Sequence, residues 1–133
     1  MLAPAVDGIR LTLHVLAAAV WVGGQLTVAG LLGTVRQLGD EAPRKIARAF
    51  GRLSWPAYAV LLGTGVWNVA AAGGNQRPAW KAVLWAKIAV ALLAGLTAWL
   101  HSRSTGRAGL AVWGSVAGAA SIAALVMGVF LAG

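Results

Sequence analysis

Four apolar runs constrain this chain more than any other feature, because each is long enough to cross a bilayer, which takes about 20 helical residues. Leu11 to Val35 has no formal charge when His14 is neutral, and Leu53 to Gln76 has none at all. Ala82 to Ser102 holds only Lys87 and His101 as ionisable groups, and Ala108 to Gly133 is uncharged. In lipid, a helix satisfies its own backbone N–H and C=O groups, whereas an open strand leaves them bare. The expected fold is all-α: a four-transmembrane-helix bundle with helices at about 9–35, 43–73, 79–102 and 108–132, making one integral membrane domain over residues 1–133.

Charge content supports this. Only 11% of the residues are charged, against about 25% in soluble domains, too few to clothe a water-facing surface. The opening run reads as a span and not a cleaved leader, since it continues past Ala17-Ala18-Ala19 and Asp7 weakens its basic flank. Cysteine is absent, which excludes disulfides and thiolate metal sites, and the methionines are Met1 and Met127.

The net charge of +8 raises the question of a nucleic-acid partner, and the placement of the charges answers against one. Arg36, Arg44, Lys45, Arg48, Arg52, Arg103 and Arg107 flank the first and third connections, while Arg10, Arg77 and Lys81 lie on the other side. Basic loops stay in the cytoplasm. The expected setting is a bacterial-type inner (plasma) membrane, multi-pass, with both termini outside and the lipid bilayer as principal partner.

One connection has internal character, "GDEAPRKIARAFGRLSWP". Ile46, Phe50 and Leu53 recur at helical spacing, as do Arg44, Arg48 and Arg52, and Asp40 and Glu41 precede them where a helix dipole favours acids. The expectation is an amphipathic cytoplasmic lead-in at the headgroups, running into helix 2. Pro56 falls one turn into that helix, either as a kink or as a start signal. On helix 4, Gly114 and Gly118 give the spacing that lets helices approach closely, within the chain or in a homodimer.

Ionisable groups inside a membrane are costly, about 2.5–3.5 kcal/mol for a central lysine on insertion scales. The groups needing a partner or a purpose are His14, Asn68, Lys87 and His101, with Thr64, Gln25 and Ser121 as weaker neighbours. At 1.5 Å per residue, His14 lies roughly 5 Å, Lys87 about 8 Å and Asn68 about 12 Å inside the outer ends of their runs. His101 lies about 21 Å below Lys87, at the inner boundary. His14, Ala18, Trp21 and Gln25 form one stripe of helix 1, and Trp80, Lys87, Ala94 and His101 a heptad on helix 3. If both stripes face inward, His14 and Lys87 converge beneath a ring drawn from Trp67, Trp80 and Trp85. All three acids, Asp7, Asp40 and Glu41, lie outside the spans. Lys87 then sheds its proton, snorkels to the interface or meets an anion carried by a ligand. The remaining tryptophans read mainly as interface anchors.

Three stretches carry a family resemblance. "LHVLAAAVWVGG" resembles the opening helix of the copper-resistance protein D (CopD) family, with a histidine followed by a tryptophan and paired glycines. "ARAFGRLSWPAYAVLLGTGVWN" resembles that family's next stretch, a basic entry and an apolar helix ending in Thr-Gly, here Thr64-Gly65. "WAKIAVALL" resembles its lysine-bearing third helix. The HemJ-type protoporphyrinogen oxidases look like distant relatives, but "GGQLTVAGLL" stands where they have a Leu-Pro-Arg element.

The resemblance implies copper transport or homeostasis across the membrane, or binding of a metal-containing cofactor, and carries over His14 and Lys87. Copper would draw on His14 and Met127. Haem b asks for one axial histidine, an apolar slot and a cation for a propionate, and would draw on His14, Lys87, Trp21 and Asn68. A third reading is a ligand-free assembly subunit, alone or with a partner membrane protein. No catalytic constellation is present in the spans, so an oxidase like the HemJ enzymes is the sole enzymatic alternative.

Overall fold

A computed structural model describes residues 4–133. Those residues form helices and short turns, with no strand among them. We label the helices α1 (Ala5–Gln37), α2 (Ala42–Ala72), α3 (Pro78–Arg103) and α4 (Arg107–Ala132). Helix α1 contains a five-residue π-helical stretch, Ala19–Gly23. The chain divides into two compact units, Met1–Gly73 with α1 and α2, and Gly74–Gly133 with α3 and α4.

Local chemistry sets the breaks. Gly39 (φ 129°) turns the chain between α1 and α2, and Gly73 (φ 70°) ends α2, both in backbone conformations that favour glycine. Pro78 opens α3 at a position whose N–H would have no helical partner. The basic lead-in and helix 2 are one continuous helix of 31 residues, with Pro56 inside it. That is about 46 Å of helix, longer than a hydrocarbon core of about 30 Å.

α1, α3 and α4 are long and apolar enough to cross a membrane. Helix α2 is less apolar, since Ser54, Pro56, Tyr58, Thr64 and Asn68 interrupt its uncharged run. Burial runs opposite to a soluble protein. Buried positions are mostly small, such as Ala17, Ala94, Thr97, Ala117, Ala120 and Ser121, while Leu16, Val66, Trp85, Val129 and Phe130 are exposed. Small residues at helix contacts and large apolar ones outside are what a lipid solvent asks for, since lipid tails give no hydrophobic drive to bury leucine.

In the first unit, contacts descend along α2 as they rise along α1: Arg10 to Asn68, His14 to Thr64, Trp21 to Tyr58 and Trp55, Gly24 to Phe50. The two helices are therefore an antiparallel hairpin. Towards the turn that joins α1 and α2, the Phe50 ring occupies the space a side chain on Gly24 would need. Of the apolar stripe on the lead-in, Phe50 is the member that packs inward, whereas Ile46 and Leu53 are exposed. In the second unit α3 and α4 are likewise antiparallel. The Trp80 indole donates to the Leu131 carbonyl at 3.2 Å, and His101 Nδ1 donates to the Leu110 carbonyl at 2.8 Å.

Candidate intramembrane site

The first unit assembles a polar chain from both helices. His14 Nδ1 and Thr64 Oγ1 stand 2.8 Å apart. Thr64 is buried, and its hydroxyl turns back to the Val60 carbonyl at 2.7 Å, with a longer approach to Leu61 at 3.2 Å. A threonine hydroxyl has one proton, and a carbonyl only accepts. The proton goes to Val60, so Thr64 accepts from His14 Nδ1–H. In the neutral ring this arrangement puts the lone pair on Nε2, the form in which an imidazole nitrogen binds a metal. Gly65, the next residue, faces the same ring: a Cβ there would lie 3.7 Å from His14 Cε1.

One turn towards the N-terminus of α1, Arg10 continues the chain. Its Nη1 donates to Asn68 Oδ1 at 2.6 Å, and its Nη2 to Asp7 Oδ1 at 2.8 Å. The Arg10 side chain is only 12% exposed, and its Nε is buried with no hydrogen-bond partner among the described residues. Sequence reading places Arg10 among the outer flanking charges, but it is turned inward. The available signal is the Asp7–Arg10 spacing of i, i+3, with Asn68 one turn beyond Thr64 as the matching acceptor.

Trp21 is 3% exposed and therefore a core residue. Its ring centroid lies 5.6 Å from Trp55 and 4.5 Å from Tyr58, which themselves meet edge to face at 5.9 Å. Trp21 lies within the π-helical stretch, about 10 Å along the axis from His14. The wide turn accommodates this bulk, and the Thr27 hydroxyl bonds the Gly23 carbonyl at 2.7 Å where the stretch ends.

Lys87 and Met127 belong to the second unit. The Lys87 amine lies against Gly128, where a Cβ would come within 2.9 Å of Nζ, and the His101 ring lies against Gly114, where a Cβ would come within 3.0 Å of the ring. Gly118 meets nothing within 4 Å, so Gly114 alone of that pair serves a side-chain contact. Met127 is half-buried beside Gly128. Trp67 and Trp85, read from sequence as roofing a shared slot, are exposed, Trp85 by 68%. Each unit thus seats a nitrogen base of its first helix against a glycine of its second: His14 on Gly65, Lys87 on Gly128.

Among the described residues no group of three His, Cys, Asp or Glu stands close enough to hold a metal. Chemically, the first unit offers one oriented imidazole and one inward guanidinium a turn away. Compared with family models, curated proteins and solved structures, the chain matches none.

Proposed function

We propose that this chain is a CopD-like integral membrane protein that handles copper at an intramembrane site centred on His14. One observation carries the reading. The signature residues of the two resembling motifs, His14 of the first and Thr64-Gly65 of the second, lie against each other in the folded first unit. Their meeting at one ring across fifty residues of sequence supports reading them as parts of one site. A neutral imidazole with its second nitrogen held by a hydrogen bond is a good copper ligand. A site that passes cargo onward suits few donors, since it must release what it takes.

In this reading α2 is a fourth span. Its uncharged run carries exposed Val60, Val66 and Val69, and the polar residues that lower its hydropathy include the partners of His14 and Arg10. The basic connections then lie in the cytoplasm, with both termini outside.

A second reading, haem b, is favoured by Arg10. Its buried Nε has no hydrogen-bond partner among the described residues, and it stands one turn above His14. The donor set fits in chemistry: His14 would hold the iron through a ring nitrogen and Arg10 would hold a propionate. Bound haem supplies one-electron redox chemistry.

The test is a competitive Cu(I) titration of the purified full chain against a chromophoric chelator. Wild type competes for copper, and His14→Ala does not. Thr64→Val weakens binding by about 10–100-fold, the usual effect of losing the group that orients a metal-binding histidine. A Soret band in protein from haem-replete cells, lost in His14→Ala, selects haem instead. If the wild type binds neither, the polar groups serve only to join helices.

A further inference from the structure

The lead-in of α2 has a second face, independent of any metal. Successive helical residues turn by about 100°, which places Arg44, Lys45, Arg48 and Arg52 within one arc of about 100°. All four are exposed. Lys45, Arg48, Ala49 and Arg52 line a shallow groove of about 230 Å³. The one carboxylate on this face is Glu41, 3.8 Å from Lys45 Nζ, in an exposed pair. The opposite face carries Ile46, Phe50 and Leu53, with Phe50 seated on α1 at Gly24. Arg52 is the last charge before the uncharged run that begins at Leu53. On the proposed reading of α2 as a fourth span, the groove sits where polar water-facing helix gives way to apolar helix, which is headgroup level.

We infer that this groove binds the phosphate of an anionic phospholipid, with Arg48 and Arg52 as the principal donors and Lys45 and Arg44 adding charge. Guanidinium groups grip phosphate in a fork, and two of them one turn apart can hold one phosphate from both sides. Exposed Ile46 and Leu53 suit the same lipid layer, so acyl chains and headgroup meet matching surfaces of one helix. Charge complementarity selects the occupant: a zwitterionic lipid cancels its own phosphate charge, and an anionic one does not.

The experiment is native mass spectrometry of the full chain released from micelles doped with equal phosphatidylglycerol and phosphatidylcholine. Wild type is expected to retain phosphatidylglycerol preferentially. Each cation removed near a membrane surface weakens attraction about fivefold, so Arg48→Gln with Arg52→Gln lowers the preference by more than tenfold. Arg48→Lys with Arg52→Lys keeps part of it. Arg77→Gln with Lys81→Gln, the same charge change at another exposed basic turn, leaves it unchanged, and unchanged thermal midpoints show that all variants fold. Equal losses in the two Gln pairs, or no preference in wild type, would overturn the inference. So would displacement of the lipid by millimolar inorganic phosphate, which would make this a soluble-anion site.

Discussion

The His14 imidazole donates from Nδ1 to the Thr64 hydroxyl at 2.8 Å, and that hydroxyl donates in turn to the Val60 carbonyl at 2.7 Å. The relay runs one way because its last member is only an acceptor. In the neutral ring Nε2 is then the basic nitrogen. The relay joins helices and poises a ligand with the same atoms.

Thr64→Val keeps the shape and removes the acceptor. Hydrogen bonds between membrane helices are worth about 0.6 kcal/mol on average and up to about 1.7 kcal/mol. The variant is expected to lose about 1 kcal/mol, read as a lower unfolding midpoint in detergent, while Thr64→Ser stays close to wild type. Equal stability of the Val and Ser variants would remove the relay from the account.

Gly24 and Gly65 both face the partner helix but differ in room. A Cβ on Gly24 would overlap the Phe50 ring, whereas one on Gly65 would make ordinary contact with His14 at 3.7 Å. Gly24→Ala should cost about 1–3 kcal/mol, the usual cost of overpacking. Gly65→Ala should change stability by less than about 0.5 kcal/mol. Pairing Gly24→Ala with Phe50→Leu should recover most of the loss, and a thermal double-mutant cycle measures it.

The two glycine notches of the second unit make a sharper pair. At Gly114 the neighbour is the His101 ring, rigid and pinned by its bond to Leu110, and at Gly128 it is the far end of the Lys87 side chain. A ring cannot give way and an amine can. Gly114→Ala is therefore expected to lower the unfolding midpoint and Gly128→Ala to leave it nearly unchanged, checked by thermal melts of the two variants side by side.

Asn68→Leu strips the acceptor from Arg10 Nη1 and leaves a part-buried guanidinium short of a bond. A hydrogen bond to a charged group contributes about 1.5–3 kcal/mol. The single variant should be less stable than the double variant Arg10→Met with Asn68→Leu, which removes the unmet donor too. Chemical denaturation of the three proteins ranks them.

Much of this architecture is legible in the sequence, and the limits have physical causes. The helix limits follow from apolar runs broken by Gly39, Gly73 and Pro78, and the lead-in was readable from the alternating Arg and apolar spacing of residues 44–53. His14 stood out because an imidazole in an apolar run is costly. Its partner was harder to find, because threonine is common in membrane helices and reveals a role only when a neighbour meets it. Arg10 was hidden by its position: near a helix end, a cation reads as a flanking charge whichever way it turns. The π-helical stretch left no signal in the pattern, since alanine, valine and glycine fit either winding. Trp21, on the stripe of helix 1 shared with His14, is buried in a packed aromatic group whose other members, Trp55 and Tyr58, the stripe alone does not reveal.

The most direct test of the central claim is the copper and iron content of the full chain, purified in parallel as wild type and His14→Ala from metal-replete cells. The account predicts a metal, copper in the leading reading and haem iron in the second, present in wild type and absent from a folded His14→Ala protein. Equal metal in both proteins, or none in either, would contradict it.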